Sequence, residues 1–156
     1  MFTVENSILL PAPLARVWRL VVDVDRYRDW HPDIGLESDP NDPKKLIYTY
    51  WRPGWADPII SVEGSIIRLK RPSEFAWRVG IRGLFEIEEG FHLEKAPQGT
   101  RLTQQLSCSG IGSWFGFLLM KPFMRRRLAG TDGSLERHLR RGTVISRYSH
   151  RNPRHH

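Results

Sequence analysis

The sequence has a single cysteine, Cys108, among 156 residues. One thiol cannot close an internal disulfide, so the fold has to rest on packing rather than on covalent cross-links. With no histidine placed near it in any recognisable pattern, Cys108 reads as a small buried apolar residue rather than a nucleophile. Long apolar runs are missing too. Stretches such as Ile59-Ile60 and Phe117-Leu118-Leu119-Met120 fall far short of the roughly 18 to 20 residues that cross a bilayer, and no integral membrane segment is expected. The N-terminus enters a strand-like pattern at once, without the charged, apolar and small-residue regions of a secretory signal, so a cytoplasmic location is expected.

The motifs of several chemistries are absent. His31, His92, His138, His150, His155 and His156 show no spacing with Asp, Glu or Cys that would face one metal ion, and no metal site is expected. No G-x-S-x-G elbow supports a serine hydrolase. Gly110, Gly112 and Gly116 come near a dinucleotide loop, but Phe115 stands where the third glycine belongs and no βαβ unit follows, so no cofactor is expected. These glycines read instead as a flexible entry to the last helix. Acidic residues are scarce in one place only: residues 121–156 hold ten Lys/Arg against Asp132 and Glu136, whereas residues 1–120 are nearly balanced. The overall charge of +7 is therefore a C-terminal property. It is compatible with contact to an anionic membrane or nucleic acid, although a solvated face is the favoured reading of Arg125, Arg126 and Arg127.

What is present is enough for one continuous core, with 40% hydrophobic and 11% aromatic residues. Phe2 to Leu10 alternates as a strand. Pro11-Ala12-Pro13 then opens a helix on which Leu14, Val17, Trp18 and Val21 share one face while Arg16 and Arg19 point away. Asp25 is placed to cap a second short helix through Asp29, which Pro32 ends. From Asp33 to Ser109 the period changes to two, with strands expected near 34–38, 45–52, 58–70, 74–81, 84–94 and 100–109, joined by hairpin turns. After Gly112 the helical period returns, with Trp114, Phe117, Met124, Leu128, Leu135 and Leu139 on one face. Pro122 predicts a kink or a fresh start, and Gly142 a stop. The expectation is an α+β domain over residues 1–142, with a basic, poorly ordered tail over 143–156.

This order of elements resembles the START-like, helix-grip (SRPBCC) superfamily, which includes polyketide cyclase/dehydrase-like proteins, START lipid-transfer domains and plant pathogenesis-related pollen allergens. The residues that carry the likeness are Pro11-Ala12-Pro13, Val17-Trp18, Asp23, Tyr27 and Trp30-His31-Pro32, with weaker support from Phe91-His92-Leu93-Glu94 and Gly99-Thr100-Arg101-Leu102-Thr103. The resemblance implies a curved, antiparallel, seven-stranded sheet wrapped around a long C-terminal helix, with two short helices between strands 1 and 2. It also implies a cavity between sheet and helix for sterols, lipids, hormones or aromatic polyketides. It does not imply one shared reaction.

On the strand 84–94, Phe85, Ile87, Phe91 and Leu93 share a face, and Glu89 joins them if the strand is unbroken. An inward Glu89 is a candidate general acid or base; a bulge at Glu88-Glu89-Gly90 would turn it to solvent instead. Gln104 lies among Leu102, Leu106 and Cys108, either orienting a ligand or satisfied within the core. Trp51, Phe75, Trp77, Phe85, Ile87, Phe91, Phe117, Met120 and Met124 are the candidate cavity wall, with core packing as the alternative for each. His92 has the opposite parity and should be exposed. The leading expectation is a protein that binds or carries a small apolar molecule, such as a lipid, polyketide or aromatic compound. The alternatives are a cyclase or dehydratase using a pocket acid or base, and an interaction module docking on anionic surfaces through its basic C-terminus.

Overall fold

The computed structural model describes residues 1–52 and 54–149, apart from the side chains of 114–120, 123 and 143–149. Strand β1 (Phe2–Leu10) leads through Pro13 into α1 (Leu14–Val22), a single 3-10 turn (Val24–Arg26) and α2 (Tyr27–Trp30). Six strands follow: β2 (Ile34–Asp39), β3 (Asp42–Tyr50), β4 (Ile60–Lys70), β5 (Glu74–Ile81), β6 (Phe85–Ala96) and β7 (Gly99–Ser109). The long helix α3 (Gly112–Ser149) ends the described chain.

Every strand pair is antiparallel and the order is β1-β7-β6-β5-β4-β3-β2, so consecutive strands are neighbours except that β1 pairs with β7. The result is a seven-stranded curved sheet with both helical layers on one face, the helix-grip arrangement. Val17, Trp18 and Val21 of α1 are buried against it, as their spacing requires. On α3, Met124, Leu128, Leu135 and Leu139 are buried; Trp114 and Phe117 of the same expected stripe lie outside the described side chains. The core forms two clusters. The larger gathers the α1 and α2 residues with Phe75, Trp77, Phe91, Leu93, Leu135 and Leu139. The smaller joins Phe2, Val4, Leu106 and Cys108 to Met124 and Leu128.

Several local expectations are corrected. Asp25 caps no helix; its carboxylate accepts hydrogen bonds from the Ser38 backbone N–H (2.7 Å) and hydroxyl (2.6 Å), tying the 3-10 turn to β2. Arg16 does not point away, since its guanidinium donates to the Leu139 carbonyl at 3.1 Å. The chain stays helical through Pro122 and past Gly142 to Ser149, because the flanking turns supply enough hydrogen bonds to carry one missing donor and one weak helix former. The expected tail over 143–156 therefore begins as helix, and residues 150–156 lie outside the described residues. The entry to α3 is tethered rather than loose: Ile111 N donates to Gly83 O, Gly112 N to Leu84 O and the Ser113 hydroxyl to Gly110 O. Gly110 has φ of +99°, and a side chain there would meet the Leu84 carbonyl, so this approach needs glycine.

Asn6 of β1 donates to the carboxylate of Asp132 on α3, a polar stitch between sheet edge and helix. Burial, helped by the charge of Glu89 and opposed by the Asn6 hydrogen bond, pushes the Asp132 carboxyl up to about 6. Its folded value lies above its unfolded one, so its contribution to stability is fully present below the ordinary carboxylate pKa and is lost as pH rises through about 6. In urea unfolding between pH 4.5 and 7.5, D132N should gain on the wild type as pH rises. A difference that does not change with pH would overturn this assignment.

Candidate functional site

The site is built on the central strands. β6 pairs with β5 and β7 without a register shift, Glu89 standing opposite Trp77 on one side and Leu106 on the other. An unbroken strand sends alternate side chains to the same face, so Glu89 points inward with Phe91 and Leu93. It is 1% exposed, and no bulge turns it to solvent. Gln104 faces the same way from β7 and donates its amide N–H to Glu89 Oε1. From the opposite side α3 sends down Arg127, whose Nη2 donates to Glu89 Oε2 at 3.2 Å. Sheet and helix are thus joined by a buried ion pair.

A carboxylate taken out of water needs compensation, and here it receives a guanidinium and an amide. Burial pushes the Glu89 carboxyl above its ordinary value, against the pull of Arg127 and Gln104. Burial alone would lower the pKa of Arg127, but Glu89 and then Tyr48 outweigh it and hold the guanidinium firmly protonated. Tyr48 is pushed up by burial, and Tyr27 well up by burial and by the Glu89 charge, so both phenols stay neutral.

His31, just past α2, is held in one protonation state. The backbone N–H groups of Asp33 and Ile34 both donate to its Nδ1 at 3.3 Å, so that nitrogen carries no proton. Its Nε2–H then donates to the Thr131 hydroxyl (3.2 Å), which donates in turn to the Arg127 carbonyl (2.9 Å). Burial, followed by the Arg127 charge, holds its pKa well below the usual histidine value. His31 is a neutral strut under α3. It is not a base facing open space.

Beside this network lies a cavity of about 400 Å³. Tyr48 and Tyr50 of β3, Ile60 and Val62 of β4, Val79 to Ile81 of β5, and Phe85 and Ile87 of β6 form its wall, and among the described residues Arg127 is the one charged residue lining it. The guanidinium therefore has two sides. One Nη2 is spent on Glu89, while Nε is buried without a hydrogen-bond partner among the described residues.

The residues proposed from sequence divide into groups. Phe85 and Ile87 line the cavity. Phe75, Trp77 and Phe91 face the same side of the sheet but are packed into the larger core cluster. Met124 belongs to the smaller one. Gln104 holds Glu89 instead of lining the wall. Trp51 is corrected outright. Leu46 and Tyr48 are the inward residues of β3, so Trp51 has the outward parity, and its ring lies under the Arg28 guanidinium at 3.7 Å. The side chains of Phe117 and Met120 lie outside the described residues. His92 is half-exposed and pairs with Glu94 at 3.1 Å.

The run Arg125 to Arg127 predicts a solvated basic face, and for Arg127, which is buried, this is the main correction. Its position three residues after Met124 and four before Thr131 places it on the buried stripe of α3, and that spacing was the available signal. Tyr48, Tyr50, Val62 and Val79 went unassigned to the wall although strand parity places them there.

Solved structures of similar shape fit this architecture. A protein from Nitrosomonas europaea has a TM-score of 0.72 at 14% identity, covering 91% of this chain and 96% of that one. A START superfamily protein from Mycobacterium smegmatis has 0.69 at 15% identity, with 89% and 97% covered. The di-domain ARO/CYC StfQ from the steffimycin biosynthetic pathway has 0.65 at 11% identity; 87% of this chain matches 48% of that protein, about half its length. At such identities the likeness establishes the fold alone. No curated protein matches the chain. Residues 1–140 match the family model described as polyketide cyclase/dehydrase and lipid transport, and with nine-tenths of its length so matched the chain belongs to that family.

Proposed function

We propose that residues 1–142 form a binding or carrier domain for a small, mainly apolar molecule bearing one anionic or hydrogen-bond-accepting group. The observation that carries this reading is Arg127, one guanidinium on the wall of an otherwise apolar cavity of about 400 Å³. A cavity in the range of roughly 300–1,000 Å³ with few convergent polar groups is the usual form of a small-molecule site. The aliphatic and aromatic wall supports an apolar body such as a lipid, aromatic or polyketide compound. The guanidinium supports a carboxylate, phenolate or carbonyl at one end, because its fork of N–H donors suits oxygen acceptors.

A cyclase or dehydratase reading needs a group beside the ligand that can give or take a proton. The Tyr48 hydroxyl near Arg127 is the observation that favours it, as a neutral donor next to a fixed cation. Glu89 supports it poorly. That carboxylate is buried, is held by Gln104 and Arg127, and does not line the cavity. Carriage therefore stands ahead of turnover.

Two predictions follow from this geometry. The first concerns stability. Arg127→Met should cost about 3–5 kcal/mol in urea unfolding, because it leaves a buried carboxylate unpaired. E89L/R127M should recover most of that loss, and equal losses in both variants would show that packing, not the charge pair, holds the helix. The second concerns binding. The wild type should enhance the fluorescence of both 1-anilinonaphthalene-8-sulfonate and the uncharged N-phenyl-1-naphthylamine. Val62→Trp, which fills the cavity, should weaken both probes, whereas E89L/R127M should weaken only the sulfonate, by about tenfold, roughly 1.4 kcal/mol. Failure of the wild type to bind either probe, or binding untouched by Val62→Trp, would overturn the proposal.

A further inference from the structure

A second concavity, of about 490 Å³, lies between α1, the 3-10 turn with α2, and the C-terminal half of α3. It shares no lining residue with the apolar cavity. Its chemistry is the reverse: Arg16, Arg19, Arg26 and Arg141 converge on it with His138, against the two carboxylates Asp23 and Asp29. Four guanidiniums from three separate elements are brought to one groove by the packing of α3 over α1 and α2.

The groove has a built part and an open part. Arg16 is fixed, its guanidinium hydrogen-bonded to the Leu139 carbonyl at 3.1 Å and lying over Gly142, where any Cβ would strike it. Arg26 is held by Asp29 at 3.2 Å. Arg19 and Arg141 are exposed and have no ion-pair partner among the described residues. They are the two cations whose charge is left for a guest.

We infer that this groove binds a phosphate group, as a free phosphorylated compound or as a lipid headgroup. Phosphate is favoured over a carboxylate because its tetrahedral oxygens can be shared among guanidinium forks arriving from different elements, whereas the two oxygens of a carboxylate are taken by one fork. Arg16 serves as the fixed anchor, and Arg19 and Arg141 close on the ligand from α1 and α3.

The test uses the full chain, with inorganic pyrophosphate followed by calorimetry at low salt. In parallel, the protein is sedimented with vesicles of phosphatidylcholine alone or with added phosphatidylglycerol. Pyrophosphate should bind at submillimolar concentration, and R19Q/R141Q should weaken it at least tenfold. R125Q/R126Q, which removes two exposed arginines outside the groove, should leave binding within twofold. Vesicle binding that depends on phosphatidylglycerol and is lost in R19Q/R141Q, with or without pyrophosphate binding, assigns the phosphate to a lipid and supports the site. No binding of either probe, or equal weakening by the two double variants, overturns it, the latter by reducing the effect to overall charge. Binding of N-phenyl-1-naphthylamine should be unchanged in R19Q/R141Q, which separates this groove from the apolar cavity.

Discussion

The contact between Arg127 and Glu89 is the constraint around which the interior is arranged. Each group alone would be too costly to bury, and together they are tolerable only at hydrogen-bonding distance. That condition fixes the turn of α3 that lies over β6, and with it the depth of the whole helix in the sheet. Gln104 donates to the same carboxylate, and the Thr131 hydroxyl links His31 to the Arg127 carbonyl one turn along the helix. An apolar pair of the same volume would fill the interior equally well. It would not leave a cation on the wall of the cavity.

The interior is filled unevenly. Where α1 and α2 meet the sheet, large rings such as Tyr27, Trp30, Phe75 and Trp77 pack to closure. Across β3 to β6 the wall is made mainly of aliphatics with Tyr48, Tyr50 and Phe85, and there a cavity remains among the described residues. One core thus does two things. Its dense part fixes the frame, and its open part is the cavity proposed to receive a guest. The shared frame of this family is consistent with different guests and reactions, because these depend on the few side chains facing the open part.

Much of this architecture was legible in residue order. The helical spacing of Val17, Trp18 and Val21, the period-two stretches between Asp33 and Ser109, and the return to helical period after Gly112 correspond to observed elements, with strand ends agreeing to within about three residues. The likeness carried by Pro11 to Pro13, Trp18 and Trp30-His31-Pro32 agrees with the family to which the chain belongs. Glu89 and Gln104 were singled out because a polar residue on an apolar strand face has to be accounted for. Arg127 was passed over because it stands in a run of three arginines, where local composition masks the helical position.

The sequence by itself determined the element types and the faces each would bury, because periodicity and turn chemistry act over a few neighbouring residues. It also determined that a carboxylate could enter the core. Only the tertiary structure decided which cation would meet it, which of two readings of Glu88-Glu89-Gly90 holds, and which aromatic residues line space rather than fill it. Those outcomes depend on the register of β6 between its neighbours and on the height of α3 above them, distances between residues far apart in the chain that no local pattern encodes.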